Sequence, residues 1–212
     1  MDVQIKWLGH ASFRISSGDS VLYIDPWKLK NPAKDADIVL VSHSHYDHYS
    51  AEDIKKVSKA GVKIIASTDV IASYGYGQAI TPGQTIDVGT SNIMGVPAYN
   101  PDKQFHPKEK QWLGYVIEIA GKRIYYAGDT DLIDEMQALK DIDLALLPVG
   151  GTFTLDAFEA VRAIDLIKPK AAIPYHWGDI VGSRADAEQF AKKAGSNCQV
   201  TILSPGEEMV VE

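Results

Sequence analysis

Three imidazoles and one carboxylate fall within six consecutive residues of this chain, at His43, His45, Asp47 and His48. A short apolar run, 38–41, leads into them and is typical of a buried strand. In α/β proteins, ligands bind at the carboxyl ends of strands. Because side chains alternate along an extended backbone, His43 and His45 would point to the same side, whereas Asp47 and His48 follow the turn. The pattern therefore predicts a sheet edge with two neighbouring metal positions.

The composition is that of a soluble globular protein. The 212 residues, 45% hydrophobic and 23% charged, predict a single domain over residues 1–212 with a sizeable core. The formal net charge of -7 argues against a nucleic-acid partner, because a general nucleic-acid-binding protein is more often basic.

Targeting and redox features favour a cytoplasmic location. Cys198 is the only cysteine, so no intrachain disulfide can form, which fits a reducing compartment. The N-terminal residues lack a basic segment followed by an apolar stretch, and no apolar run approaches the roughly 20 residues that span a bilayer. We therefore predict a cytoplasmic protein without a membrane span, and make no prediction of its oligomeric state.

Short strands come first in each half of the chain, and helices alternate with strands after them. The predicted strands are 3–8, 12–16, 21–24, 37–42, 62–66, 86–88, 92–97, 115–119, 123–127, 144–149, 171–175, and 199–203 paired with 209–211. The predicted helices are one between Ser50 and Gly61, then 68–74, 132–139, 155–167 and 184–194. This order predicts a mixed α/β (α+β) fold in which two mixed sheets pack face to face, with the helices outside.

Two of these helices carry capping signals. Ser50 is the expected N-cap of the first, Asp53 occupies the reciprocal capping-box position, and Gly61 is expected to end it. Ser183 with Asp186 is expected to cap the helix 184–194.

The ligand types favour a catalytic metal site. A closed structural zinc site most often uses cysteine thiolates, which a chain with one cysteine cannot supply, whereas histidines and carboxylates with open positions suit catalytic zinc, iron or manganese. The remaining histidines are His10, His106 and His176, and His176 directly follows the apolar strand 171–175. Asp129 also follows a strand, and a carboxylate can bridge two cations.

These residues together resemble the ordered motif series of the metallo-β-lactamase superfamily. The matching segments are His43-x-His45-x-Asp47-His48, Gly128-Asp129-Thr130 and His176. Residues 7–12 (Trp-Leu-Gly-His-Ala-Ser) and Asp25-Pro26 resemble the branch that includes ascorbate-phosphate lactonases and N-acyl-phosphatidylethanolamine phospholipase D. The resemblance covers nearly the whole chain and implies a four-layer αββα sandwich.

The resemblance also implies a ligand set. His43 and His45 would hold a first metal, Asp47, His48 and His176 a second, and Asp129 would bridge both. The family expects a third histidine on the first metal, near Asn100, which is not histidine. We predict His106 for that position, with Asn100 or water as the alternative.

Other residues near these motifs have both a functional and a structural interpretation. His10 is predicted to be an active-site residue because of the resemblance. Asp25 is expected either to accept a hydrogen bond from a ligand imidazole or simply to form a turn before proline. We expect three lysines to be solvated rather than to bind an anion, namely Lys103, Lys108 and Lys110. We expect three aromatic residues to belong to the core or its rim rather than to a pocket, namely Trp112, Trp177 and Phe153.

The resulting hypothesis is a metal-dependent hydrolase. Two divalent cations, zinc before manganese or iron, would lower the pKa of a bound water toward ~7 and supply hydroxide. Asp47 would orient the hydroxide and His10 would contact the substrate, a small soluble ester, lactone or phosphodiester that could be anionic. The alternatives are a di-iron oxidoreductase, in which family members usually place glutamate at the position of His45, an RNA-processing nuclease, and a non-catalytic binding protein.

Overall fold

Two seven-stranded β-sheets form the centre of the protein. The computed structural model describes residues 1–212. The first sheet contains β1 (Val3–Gly9), β2 (Ser12–Ser17), β3 (Ser20–Ile24), β4 (Ala36–Val41), β5 (Ser58–Ala66), β6 (Gln78–Ala79) and β14 (Glu208–Val211), in the spatial order β14-β1-β2-β3-β4-β5-β6. The second contains β7 (Thr85–Asp87), β8 (Ser91–Pro97), β9 (Leu113–Ile119), β10 (Lys122–Tyr126), β11 (Leu144–Pro148), β12 (Ala171–Tyr175) and β13 (Gln199–Val200), in numerical order.

Both sheets are mixed in the same way. In the first, β14, β1, β2 and β3 pair antiparallel, and β3, β4, β5 and β6 pair parallel. In the second, β7 to β10 pair antiparallel and β10 to β13 parallel. The parallel strands of each sheet therefore end together at one edge, where ligands bind in sheets of this kind.

Aromatic rings join the inner faces of the two sheets. Phe13 of β2 contacts Tyr126 of β10 and Tyr175 of β12, with ring centroids 6.2 and 5.6 Å apart. The buried hydroxyl of Tyr115 on β9 donates to the carbonyl of Val41 on β4 at 2.7 Å. Tyr115 and Tyr126 thus fill the core with their rings and satisfy their hydroxyls on the facing sheet.

Four α-helices cover the outer faces: α1 (Ala51–Val57), α2 (Thr68–Tyr74), α3 (Ala157–Ile167) and α4 (Arg184–Ala194). Ile54 of α1 and Val70 of α2 pack with Val39 against the first sheet. Ala160 of α3 and Phe190 of α4 join the core of the second. The four-layer αββα sandwich predicted from the sequence is confirmed.

No helix combines the length and the apolarity needed to cross a bilayer.

The first helix ends earlier than predicted. It stops at Val57, where the hydroxyl of Ser58 donates to the carbonyl of Ile54 at 2.6 Å, and Gly61 lies within β5 in a left-handed conformation, φ 80°. Ser50 does cap the helix, accepting from the backbone of Asp53, but the Asp53 carboxylate accepts from Lys56 instead of completing the capping box.

Three other elements compare with their predictions in different ways. The predicted helix 132–139 is only a 3₁₀ turn, Asp134–Ala138. The predicted pair 199–203 with 209–211 is wrong, because β13 pairs with β12 and β14 crosses to β1 at the edge of the other sheet. The cap of α4 is as predicted, since the Asp186 carboxylate accepts from the backbone N–H of Ser183 at 2.7 Å.

The N-terminus of α3 offers a test of local stability. The Asp156 carboxylate accepts from two backbone N–H groups, of Phe158 and Glu159, both at 2.8 Å. We expect Asp156→Ala to lower the free energy of unfolding by about 1 kcal/mol, measured by urea denaturation, because it leaves helix donors unsatisfied. Arg162→Ala, at an exposed position of the same helix, is the control and should change it by less than about 0.5 kcal/mol. Equal effects of the two variants would contradict the capping role.

Candidate metal centre

The carboxyl ends of five strands bring the candidate ligands together. His43 and Asp129 follow β4 and β10, and His176 follows β12. His10 follows β1, and Asp25 follows β3. Each of these five side chains is buried. The sequence-predicted edge of the sandwich is therefore where they meet.

Because of the tight turn after His43, the neighbouring candidate side chains point in different directions. Backbone N–H groups of His48 and Tyr49 both donate to the carbonyl of His45, at 3.0 and 2.9 Å. This turn leaves His45 beside His43 and carries Asp47 and His48 to the other side. The division of the motif into two halves is as predicted from the alternation of side chains.

The first cluster consists of His43, His45 and His106. The potential ligand atoms of all three lie within 4.8 Å of one another. The Nε2 of His43 lies 3.1 Å from the Nδ1 of His45, and the ring of His106 lies 5.2 and 5.0 Å, centroid to centroid, from those two rings. The loop after β8 thus brings His106 to the place where a third imidazole was expected.

The second cluster consists of His10, Asp47, His48 and His176, whose ligand atoms also lie within 4.8 Å of one another. The Oδ2 of Asp47 lies 3.0 Å from the Nε2 of His10, and 3.8 and 3.9 Å from those of His48 and His176. His10 belongs to this cluster although the sequence placed it only in the wider active site.

Asp129 lies between the two clusters. Its Oδ1 is 3.2 Å from the Nε2 of His48, and its Oδ2 is 3.2 Å from the Nε2 of His176 and 3.3 Å from that of His106. The tight Gly128 turn positions it: Gly128 has φ +68°, and a Cβ there would overlap the carbonyl of Leu113. One carboxylate therefore faces nitrogen atoms of both clusters.

Four of these inward-facing atoms are buried without a hydrogen-bond partner. They are the Nε2 atoms of His48, His106 and His176 and the Oδ1 of Asp129. The imidazole nitrogens face Asp129 closely but without hydrogen-bond geometry. Unsatisfied buried polar atoms cost about 1–3 kcal/mol each and are rare in native proteins. Convergent imidazole and carboxylate lone pairs of this kind fit divalent cations.

A buried carboxylate outside the clusters fixes His48. Asp25 is fully buried and accepts from the Nδ1 of His48 at 2.7 Å, from the backbone and hydroxyl of Ser42 at 2.7 and 2.6 Å, and from the hydroxyl of Tyr126 at 2.7 Å. The Nε2 of His48 is therefore directed into the centre. Of the two interpretations of Asp25, the hydrogen bond to an imidazole is the one the structure contains.

Asn100 has the corresponding role for His106. Its Oδ1 lies 2.8 Å from the Nδ1 of His106 and accepts the backbone N–H of the same residue at 2.9 Å. Its amide nitrogen donates to the carbonyl of Phe153 at 2.9 Å. With both ends engaged, Asn100 orients His106 rather than replacing it, so the alternative that placed Asn100 among the ligands does not agree with the structure.

Sequence reasoning missed Asp69. Its Oδ2 accepts from the hydroxyl of Ser44 at 2.7 Å and from the indole of Trp112 at 2.8 Å, and the Trp112 ring packs on His43 and His45 at 4.9 and 4.7 Å. Its position just beyond the carboxyl end of β5 was the available signal. Trp112 is therefore a buried wall of the first cluster.

The remaining side chains behave in different ways. Lys103 is not solvated, because it binds Asp131 at 2.5 Å and the carbonyl of Thr154 at 2.8 Å. Lys108 pairs with Glu135 at 2.9 Å at the surface, and Lys110 is exposed. Phe153 contacts Phe105 at the rim, as expected. Trp177 packs against Trp7 in the core at a tilt of 42°, and it also lines a cavity, contrary to expectation.

Burial and charge act on the imidazoles in opposite directions. Burial lowers the pKa of His43 well below its usual value, because the charged form loses its hydration. Burial also opposes the charge on His48, but the carboxylates of Asp129 and Asp25 outweigh it and raise the pKa of His48 well above its usual value. Burial opposes the charge of Asp129, yet His176 and His48 lower the pKa of Asp129 well below its usual value. Neighbouring charges therefore favour the protonated form of His48 and the ionised form of Asp129, whereas burial favours the neutral form of His43.

The Asn100 interaction can be tested without any metal. In chelator-treated protein we expect Asn100→Ala to lower the free energy of unfolding by about 1–3 kcal/mol, because the buried backbone N–H of His106 loses its acceptor. Asn92→Ala, at an exposed position of β8, is the control and should change it by less than about 0.5 kcal/mol. Urea denaturation measures both, and a neutral Asn100→Ala variant would disprove the positioning role.

Comparison with known proteins agrees with this fold and site. A family model described as the beta-lactamase superfamily domain matches residues 4–176. The UPF0173 metal-dependent hydrolase of Thermococcus onnurineus is 36% identical in an alignment 224 residues long, and the alignment covers 97% of this chain and 98% of the relative. A UPF0173 metal-dependent hydrolase of Thermus thermophilus is 34% identical, with 97% of each chain covered.

Solved structures show the same architecture. A protein of Parabacteroides distasonis superposes with a TM-score of 0.87 at 30% identity, covering 97% of this chain and 94% of that one. A metallo hydrolase of Ignicoccus hospitalis superposes with a TM-score of 0.82 at 26% identity, covering 100% and 99%. The chain therefore belongs to the metallo-β-lactamase superfamily and is a metal-dependent hydrolase of the β-lactamase fold.

Proposed function

We propose that this hydrolase binds two divalent cations and cleaves an ester, lactone or phosphodiester bond of a small soluble substrate. Zinc is the first candidate, because imidazole and carboxylate ligands with open positions suit it, and manganese and iron accept the same ligand types. The observation that carries the proposal is the position of Asp129 between two clusters whose nitrogen atoms have no hydrogen-bond partner.

Each cluster would hold one cation. His43, His45 and His106 would hold the first, Asp47, His48 and His176 the second, and Asp129 would contribute to both. When bound, two divalent cations lower the pKa of a water molecule toward ~7 and stabilise the negative charge that develops on a carbonyl or phosphoryl oxygen.

Asp47 and His10 supply the groups that act on the water and the substrate. Burial opposes the charge on Asp47, but the hydrogen bond from His10 and the charge of His48 lower the pKa of Asp47, so its carboxylate is ionised at neutral pH. An ionised carboxylate at this position can accept a hydrogen bond from the attacking water and so orient it. His10, held 3.0 Å from Asp47, fixes the carboxylate and borders the space in which a substrate would lie.

Metal removal tests the proposal directly. We expect protein purified without added metal to contain two divalent cations per chain by elemental analysis, and complete chelation to abolish hydrolysis of a panel of lactones, esters and phosphodiesters. Zinc should restore the activity. Asp129→Asn should reduce the bound metal to one cation or fewer, because the substitution weakens both sites at once, whereas Asp165→Asn on the exposed face of α3 should leave metal content unchanged. Hydrolysis that survives complete metal removal would end the proposal.

The pH dependence of metal binding tests the role of Asp25. Because the carboxylates of Asp129 and Asp25 raise the pKa of His48, a cation must displace the proton that this imidazole carries below that pKa. Zinc affinity measured by competition with a chromophoric chelator should therefore rise about tenfold per pH unit until the pKa of His48 is passed.

Asp25→Asn should change this profile in two ways. Loss of the Asp25 charge lowers the pKa of His48, so the slope with pH should flatten, while the weaker acceptor should reduce zinc affinity at high pH by about 10–100-fold. The control is Asp35→Asn, which removes a carboxylate that pairs with Arg14 and belongs to neither metal cluster. This variant measures the effect of losing one negative charge without losing the hydrogen bond to His48. An unchanged slope in Asp25→Asn would contradict the coupling.

A further inference from the structure

A large cavity borders the second cluster. It has a volume of about 950 Å³, and His10 forms part of its wall while also bonding to Asp47. Small-molecule sites occupy roughly 300–1,000 Å³ and are concave and largely apolar. The cavity is therefore large enough for a substrate body, and its inner end lies one side chain away from the proposed reacting groups.

Aromatic and aliphatic side chains form one side of the cavity. Trp27 links it to the centre, because its ring lies 5.2 Å from that of His10 and 6.2 Å from that of Tyr46, centroid to centroid. Leu29 and Trp177 extend the same wall. Tyr46 itself is 69% exposed although it lies inside the metal motif. Trp27 thus joins the lining of the cavity to an exposed aromatic residue that directly precedes Asp47.

The charges around the cavity differ in sign from those of the whole chain. Four cationic side chains line it against three carboxylates: Lys6, Arg14, Lys28 and Lys30 against Asp35, Asp179 and Glu208. Three of the four cations are paired, and the exposed Lys30 is not. The protein has a formal net charge of -7, so a local cationic excess at this cavity favours an anionic ligand.

An exposed ion pair joins two loops at the rim of the cavity. Lys28 in the loop after β3 binds Asp179 in the loop after β12, with Nζ 3.0 Å from Oδ1. The same ammonium lies 4.2 Å from the centre of the Trp27 ring. The backbone N–H of Trp27 donates to the hydroxyl of buried Ser12 at 3.1 Å, which fixes the position of this residue beside His10.

We propose that this cavity binds the organic part of the substrate and that Trp27 selects substrates with a flat apolar group that carries a negative charge. The inference rests on the proposed function for the reaction itself, because the cavity would place the scissile bond of such a substrate beyond His10. The loop of residues 26–35 would then form the wall of the cavity that determines substrate specificity.

The experiment uses 1-naphthoate as a flat anionic probe and acetate as a probe of carboxylate binding alone. Dissociation constants for zinc-loaded protein are measured by NMR titration, so no turnover is needed. We expect 1-naphthoate to bind more tightly than acetate, and Trp27→Ala to weaken 1-naphthoate about tenfold while changing acetate by less than about twofold. Trp27→Phe should retain most of the affinity, and Phe158→Ala, which removes an exposed aromatic residue of α3, should change nothing.

Charge is tested separately. Lys30→Ala should weaken 1-naphthoate about threefold at low salt and leave the neutral probe 2-naphthol unaffected, because exposed charges contribute little and are screened. An unchanged affinity for 1-naphthoate in Lys30→Ala would overturn the anionic part of the inference.

The two proposals fail in distinguishable ways. Naphthoate binding that is no tighter than acetate, or is insensitive to Trp27→Ala in protein with a native circular dichroism spectrum, would overturn the cavity assignment even if hydrolysis is metal-dependent. Trp27-dependent binding in a protein without metal-dependent hydrolysis would uphold the binding site and overturn the proposed reaction.

Discussion

The buried carboxylate of Asp25 is the interaction on which the rest of the centre depends. It accepts donors from three sources, namely Ser42 at the end of β4, Tyr126 on the facing sheet and the imidazole of His48. A carboxylate in a dry interior is stable only when such donors replace its hydration. Because those donors come from both sheets, the packing of the sandwich and the orientation of His48 are parts of one hydrogen-bond network.

The repeated architecture of the sheets explains why one edge can hold so many ligands. In each sheet an antiparallel part is followed by parallel strands, whose carboxyl ends coincide. Asp25 and His43 arrive from the first sheet, and Asp129 and His176 from the second. Packing the sheets face to face brings these pairs together without long loops. The rigid strands can therefore position ligands more accurately than flexible segments could.

The ligands that directly follow strands could be predicted from the residue pattern alone, whereas His106, which lies on a loop, was predicted only from the family resemblance and with Asn100 or water as the alternative. His43 and His176 were predictable because each directly follows an apolar strand, whose end fixes where the side chain can lie. His106 lies well beyond β8, and the three hydrogen bonds between it and Asn100 show how the loop returns it to the centre. In the same way, β14 could not be assigned to its sheet, because its partner β1 lies at the other end of the chain.

Unsatisfied polar atoms and unusual backbone conformations occur together at the centre. The Nε2 atoms of three imidazoles and one oxygen of Asp129 lack hydrogen-bond partners, and His10 and His176 both adopt left-handed backbone conformations, φ 47° and 61°. Strain and orphaned polar groups of this kind persist only where surrounding packing outweighs them. Here Phe13 of the first sheet packs against Tyr126 and Tyr175 of the second and contributes to that packing. Cations that bind only the folded state would satisfy these atoms and stabilise the fold by mass action.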